Sequence, residues 1–162
     1  MRKVVVNSTP IIALAKVGKL DLLKELYGKV IIPTAVFTEV TAKDDAVKTL
    51  LLQNTDWIEI CNIKEVAKRA MFRSRLHDGE VEVMILAGEL NADLAIIDDY
   101  TARKTAEFIG LKLTGTIGVL IKAKQFGLID KVLPIVELME QNGIYYSREL
   151  KAQICRITEE KY

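Results

Sequence analysis

A short apolar run in the middle of the chain, Leu94 to Ile97, is followed directly by two carboxylates, Asp98 and Asp99. Four apolar residues bounded by polar ones are typical of a strand that is buried on both faces of a parallel sheet. In open α/β sheets, ligands bind just beyond the carboxyl ends of the strands. Two carboxylates at such an edge repel each other unless a cation or a basic group lies between them. The run therefore predicts a parallel sheet with a polar site at its edge.

Similar short apolar runs alternate with helical patterns along the whole chain. Strands are predicted at residues 3–6, 29–32, 57–60, 94–97 and 111–113. This alternation predicts an α/β fold of three layers, in which a central parallel sheet of about five strands carries helices on both faces. The 162 residues contain no internal repeat and no Gly/Ser/Pro-rich linker. We therefore expect a single domain over residues 1–162, with a wholly helical C-terminal segment at 130–162.

Some helix starts and surface charges are also predicted from local patterns. Ser8 or Thr9 is expected to cap the helix after the first strand, with Pro10 at the first helical position, where a missing N–H group costs nothing. A helix is predicted over residues 64–73, and basic residues are spaced along it and just beyond it. They are either a solvated face or a contact for a polyanion. The basic residues are Lys64, Lys68, Arg69, Arg73 and Arg75. Glu82 and Glu89 are expected to be solvated charges on the helix that follows.

Composition and motifs exclude several classes of protein. The 23 basic and 22 acidic residues give a formal charge of +1, so binding of a polyanion has to come from local clusters. No stretch has the roughly 18 apolar residues of a membrane span, and the N-terminus does not resemble a signal peptide. Cys61 and Cys155 form no CxxC pair, which favours a reduced, cytoplasmic setting. His77 is the only histidine, and phosphate-binding glycine loops and the GxSxG motif are absent.

Oxygen-bearing side chains recur where predicted strands end or predicted helices begin. They are Asn7, Glu39, Glu80, Asp98 and Asp99. If these elements line one edge of the sheet, their oxygens form the kind of site that Mg²⁺ or Mn²⁺ prefers. Such a site indicates metal-assisted hydrolysis of a phosphodiester. Each residue also has a structural explanation, since an acid stabilises a helix N-terminus and Asp caps helices, while Glu39 could be an exposed helix residue.

The order of several motifs resembles the PIN-domain family, small α/β metal-dependent nucleases that include the toxin ribonucleases of toxin–antitoxin pairs. The motifs span nearly the whole chain and include Val-Val-Val-Asn-Ser at 4–8, Asp-Gly-Glu-Val-Glu at 78–82, Ile-Asp-Asp at 97–99 and Gly-Thr-Ile-Gly-Val-Leu at 115–120. With Asn at the first acidic position, the chain is similar to a less studied branch of that family.

The resemblance implies an endoribonuclease in which acidic residues hold one or two Mg²⁺ or Mn²⁺ ions that activate water. Carried over by position, the catalytic acids are Glu39, Glu80 and Asp99, and Asn7 and Asp98 complete the metal ligands. Ser8 and Thr116 match supporting hydroxyl positions, and Arg75 and Arg103 are the candidates for holding the RNA backbone. The family also implies an antitoxin protein as a possible partner and a homodimer.

Asn7 departs from the family pattern, because most members have Asp there. An amide oxygen still ligates a metal, but it brings no charge and cannot act as a base. One fewer charge should weaken Mg²⁺ binding by about 1–3 kcal/mol. The alternative is therefore a catalytically weak or inactive PIN-like scaffold that binds RNA or a partner protein. A receiver-type phosphoacceptor is disfavoured because the Asp pair comes late and the first strand ends in Asn.

Overall fold

The computed structural model describes residues 2–72 and 78–161, and in these ranges the strands form one parallel sheet. The five strands are β1 Val4–Val6, β2 Val30–Pro33, β3 Ile58–Cys61, β4 Leu94–Ile96 and β5 Leu113–Thr114. Their order across the sheet is β3-β2-β1-β4-β5. The predicted parallel α/β fold is confirmed, with each strand within two residues of its predicted start.

The central strands are covered on both faces of the sheet. Every residue of β1 and β4 is buried, and successive side chains of a strand point to opposite faces. Helices must therefore pack on each side, as the wholly apolar sequences of these strands indicate. Val5 pairs with Ile31 on one side and with Ala95 on the other, so β1 lies at the centre of the sheet.

Helices connect the strands and form the outer layers. They are α1 Ser8–Lys16, α2 Asp21–Tyr27, α3 Thr34–Lys43, α4 Asp45–Gln53, α5 Arg69–Phe72, α6 Asp78–Glu89, α7 Tyr100–Phe108, α8 Thr116–Gln125, α9 Leu133–Gln141 and α10 Arg148–Thr158. Helix α6 is buried from Gly79 through Ala87 and packs on β1, β2 and α3. Across the described ranges, every helix falls short of the length and apolarity that crossing a membrane requires.

Two local predictions about helix starts and basic residues are wrong. Helix α1 begins at Ser8, because Asn7 is still extended, so Asn7 and not Ser8 or Thr9 occupies the cap position. Pro10 is then the third helical residue, where the N–H group also needs no intrahelical partner. The predicted basic helix at 64–73 is not continuous in its described part: a 3-10 turn, Val66–Lys68, precedes α5.

The C-terminal segment is helical in two pieces rather than throughout. Helices α9 and α10 are separated by residues 142–147, and α10 packs on α9. Past α10, Glu160 reaches back to the start of α9, where its carboxylate accepts hydrogen bonds from the N–H groups of Val132 and Leu133 at 2.8 and 2.9 Å. The ammonium of Lys124 lies 2.9 Å from the same carboxylate. This buried contact ties the chain end to α8 and α9.

Candidate metal and nucleic-acid site

The order in which strands are added to the sheet reverses between β1 and β4. A crevice for ligands is expected beyond the carboxyl ends of those two strands. From β1 the chain builds outward to β2 and β3, whereas β4 and β5 extend the opposite side. Asn7 follows β1, and its N–H group donates to the carbonyl of Ile96 at 3.0 Å. Asp98 and Asp99 follow β4 within three residues. The topology thus brings these three polar residues to one edge, as the sequence predicts.

The amide oxygen of Asn7 is buried without a hydrogen-bond partner in the part of the chain that the structure describes. Asn7 is only 2% exposed, and its side chain does not cap α1 although it occupies the cap position. Leaving a buried acceptor unpaired costs about 1–3 kcal/mol, so such an atom in a folded protein calls for a specific explanation, of which a bound ion is one.

Glu39 brings a carboxylate oxygen into the neighbourhood of the Asn7 amide, beside Gly79. A Cβ atom on Gly79 would lie 2.8 Å from Glu39 Oε2 and 3.8 Å from Asn7 Oδ1. The other carboxylate oxygen, Glu39 Oε1, accepts from the ammonium of Lys43 at 3.0 Å. Mg²⁺ is usually held by one or two protein carboxylates and keeps several waters. Asn7 and Glu39 therefore fit a Mg²⁺ or Mn²⁺ ion.

We expect Gly79→Ala to weaken metal binding without lowering stability. The new methyl group would displace the flexible carboxylate end of Glu39, while Ala is favoured over Gly in a helix by about 0.5–1 kcal/mol. Gly88→Ala is the matched control in the same helix, because nothing lies within 4 Å of a Cβ there. The measurement is the rise in Tm on adding Mn²⁺, which only a ligand of the native state produces. An unchanged rise in Gly79→Ala contradicts this site.

The two aspartates after β4 are each held by the start of a helix. Both oxygens of Asp98 accept hydrogen bonds from Thr116, one from its N–H group at 2.7 Å and one from its hydroxyl. Asp99 is exposed and caps α7 by accepting from the N–H group of Ala102 at 2.8 Å. Gly115 permits the approach of Asp98, since a Cβ there would lie 2.6 Å from Asp98 Oδ1. Thr116 thus orients Asp98, and the capping explanation of Asp99 is confirmed.

Within residues 2–72 and 78–161, no three Asp, Glu, His or Cys side chains come close enough to hold a metal ion. The predicted convergence of Glu39, Glu80 and Asp99 is therefore absent as a preformed cluster in these ranges. Glu80 is buried in the first turn of α6, beside Gly79. The metal-binding roles of Glu80, Asp98 and Asp99 stay predictions.

The predicted supporting hydroxyls and the predicted RNA-binding arginines lie at different positions in the fold. Ser8 and Thr116 are buried at the starts of α1 and α8. Arg103 is half-buried and donates to the carbonyl of Ile97 at 3.1 Å, so it links α7 to the end of β4. Arg75 lies outside the described residues. Tyr146 was not predicted: burial, with the charges of Asp98 and Glu140, raises the pKa of its hydroxyl above the usual range.

An open cleft of about 780 Å³ adjoins the Asn7–Glu39 pair. Its lining includes Gly79 and the charged residues Glu39, Lys43, Arg69, Asp78 and Glu82. The expectation that Glu82 is a solvated charge is wrong, because its side chain is 4% exposed and pairs with Arg69. The carboxylate of Glu89 also has partners, since it accepts hydrogen bonds from the N–H groups of Lys64 and Glu65. Pattern alone does not reveal these contacts, since both glutamates sit at ordinary helical positions.

Comparison with known proteins places the chain in a family. No curated protein matches the chain. Among solved structures, a PilT N-terminus domain protein from the hyperthermophilic archaeon Sulfolobus solfataricus P2 is similar, with 15% identity and a TM-score of 0.46, over 90% of this chain and 98% of that one. A family model described as a PIN domain matches residues 3–160. Because that match spans nearly all 162 residues, the chain belongs to the PIN-domain family.

Proposed function

We propose that this protein is a metal-dependent endoribonuclease that hydrolyses phosphodiester bonds of RNA with Mg²⁺ or Mn²⁺. PIN domains are generally nucleases, which supports the reaction class. The observation that carries the proposal for this chain is the unpartnered, buried amide oxygen of Asn7. This oxygen and Glu39 Oε2 both lie within 4 Å of the position that a Cβ atom on Gly79 would take. They are at the edge of the sheet where ligands of α/β proteins bind.

Each residue of the site has a distinct task in this reaction. A divalent ion, when bound, supplies positive charge for the phosphate oxygens and lowers the pKa of water. Glu39 and Asn7 would hold it, and Lys43 orients Glu39 by binding its outer oxygen. Asn7 is an amide and cannot take up a proton, so a base at this point would have to be another side chain, and the nearby carboxylate of Glu39 is the candidate. Thr116 keeps Asp98 in one orientation at the neighbouring strand end.

Cleavage of mixed RNA substrates by the purified chain in Mn²⁺, Mg²⁺ or EDTA tests the proposal. We expect cutting that requires the metal and is lost in EDTA. Cutting that persists in EDTA, or that is absent in both metals, contradicts it.

The roles as a toxin with an antitoxin partner and as a homodimer rest on the family resemblance. Growth arrest on expression, relieved by the product of an adjacent reading frame, tests the first, and sedimentation tests the second.

We expect Asn7→Asp to strengthen Mn²⁺ binding and to speed RNA cleavage by about tenfold or more. A carboxylate adds one negative charge to the site, worth about 1–3 kcal/mol in a contact with a charged group. In EDTA the same variant should have a lower Tm, because an ionised carboxylate would be buried without a cation. Asn91→Asp is the control, since Asn91 is exposed and precedes β4, at the opposite edge of the sheet. Equal effects of the two substitutions on metal binding rule out a site at Asn7.

The second candidate is a catalytically weak or inactive PIN-like scaffold that binds RNA or a partner protein. The neutral amide at position 7 favours it, together with the lack of a three-acid cluster in the described ranges. On this reading the native chain binds RNA without cutting it, and Asn7→Asp alone confers metal-dependent cleavage. The cleavage assay on both proteins distinguishes the two candidates.

A further inference from the structure

The cleft beside Glu39 holds a second charged pair, Arg69 and Glu82, to which the proposed reaction assigns no task. We propose that Arg69 binds a phosphate of the RNA backbone in this cleft and that Glu82 is the positioning residue that holds it there. The proposal rests on the proposed ribonuclease function and identifies how the same site binds its substrate.

Glu82 is anchored from two sides. Its side chain is 4% exposed, and Oε1 accepts from the N–H group of Ala35, in the first turn of α3, at 3.0 Å. Oε2 accepts from Nη2 of Arg69. A buried carboxylate costs several kcal/mol unless it is paired, so the structure strongly favours keeping the guanidinium in contact with it. Arg69 is thereby fixed with respect to α3 and α6.

Arg69 keeps donor capacity for a ligand. Its side chain is 33% exposed and lines the cleft, whereas its partner Glu82 is buried. A guanidinium carries five N–H donors, and within the described residues its contacts run through Nη2 to one carboxylate. The planar fork of the remaining donors suits the two free oxygens of a phosphodiester.

The neutral polar groups of the cleft agree with a ribose–phosphate chain as the ligand, while Asp78 adds one more carboxylate to the lining. Thr34 and Asn62 line it as neutral hydrogen-bonding groups, and the Thr34 hydroxyl donates to the amide oxygen of Asn62. Glu39 also lines this cleft, so we expect the strand whose phosphate Arg69 holds to pass the proposed metal ligands. A volume of about 780 Å³ is within the range of ligand sites.

Binding of a fluorescent single-stranded oligoribonucleotide, measured in EDTA and in Ca²⁺ from 50 to 200 mM salt, tests this inference. Arg69→Gln should weaken binding about tenfold and reduce the salt slope by about 0.7, the value for one phosphate contact on a single strand. Arg69→Lys should keep the slope while losing part of the affinity, since it keeps charge without the fork. Arg156→Gln, an exposed arginine on α10, is the control with the same change of charge.

A double variant separates binding from folding. Arg69→Gln leaves Glu82 buried without its partner and is expected to lower Tm, whereas Arg69→Gln with Glu82→Gln removes both charges and keeps the net charge of the chain. We expect the double variant to recover Tm but not RNA affinity. In metal-dependent cleavage it should raise KM more than it lowers kcat, because Arg69 is not one of the proposed metal ligands.

The outcomes distinguish the two proposals. Native affinity and salt slope in the double variant overturn the role of Arg69 even if the chain proves to be a ribonuclease. RNA binding that depends on Arg69, without metal-dependent cleavage by the native chain, overturns the nuclease and supports the phosphate contact. Failure of the native chain to bind the oligoribonucleotide in either solution also overturns the contact.

Discussion

Glu39→Gln is expected to reduce metal-dependent RNA cleavage by about 10²–10³-fold, the largest effect on activity that this structure predicts. Glu39 supplies the carboxylate oxygen that faces the amide of Asn7 across Gly79. Replacing it by an amide leaves two neutral oxygens at this point, and loss of several kcal/mol of charge stabilisation corresponds to that decrease in rate. The rise in Tm on adding Mn²⁺ should disappear together with activity.

The loss of activity must be separated from the loss of the ion pair between Glu39 and Lys43. Lys43→Met removes the same pair but keeps the carboxylate. An exposed pair four residues apart in a helix is worth about 0.3–0.5 kcal/mol, so this variant should keep its Tm. It should lose much less of its metal response and of its cleavage than Glu39→Gln does. Glu137→Gln, on the exposed side of α9, controls for the change of charge. Glu39→Gln that cuts RNA at the native rate refutes the assignment of Glu39 as a ligand.

The sheet and the edge that carries the site were predictable because they depend on local patterns. Short apolar runs such as Leu94 to Ile97, alternating with helical patterns, indicate parallel strands. The two central strands, β1 and β4, are wholly buried. The residues that follow such strands then share one edge by geometry alone. The positions of Asn7, Asp98 and Asp99 therefore follow from the order of the strands.

The contacts made at that edge were not predictable in the same way. Gly79 reads as an ordinary glycine near a helix start, and only packing of α6 against α3 and β1 shows that it leaves room between Asn7 and Glu39. Glu82 reads as a surface charge because helical periodicity does not reveal that Ala35 and Arg69 cover it. Both depend on contacts between residues distant in sequence, for which single-residue patterns carry no information.

The contacts of Glu160 also join residues that are distant in sequence, so the sequence pattern did not predict them. Replacement of Glu160 should have the largest effect on stability. Glu160→Gln is expected to lower the free energy of unfolding by about 2–3 kcal/mol. A neutral amide cannot accept from both Val132 and Leu133, and it leaves the ammonium of Lys124 without its charged partner. For a chain of this size the Tm should fall by about 5–10 °C in thermal unfolding at pH 7. Glu159→Gln, at the exposed neighbouring position, should leave Tm almost unchanged.

The pH dependence of this difference identifies its origin. Burial alone would raise the pKa of Glu160, but hydrogen bonds from Val132 and Leu133 and the charge of Lys124 outweigh it, so the pKa lies below its ordinary value of 4.5. A lowered pKa in the folded state stabilises the protein above the unfolded pKa and loses that effect as pH falls through the folded pKa. The gap in Tm between native chain and Glu160→Gln should therefore be constant from pH 6 to 8 and shrink below about pH 4.5. A gap that stays constant in acid would show that Glu160 acts through packing, because only its ionised form accepts from all three donors.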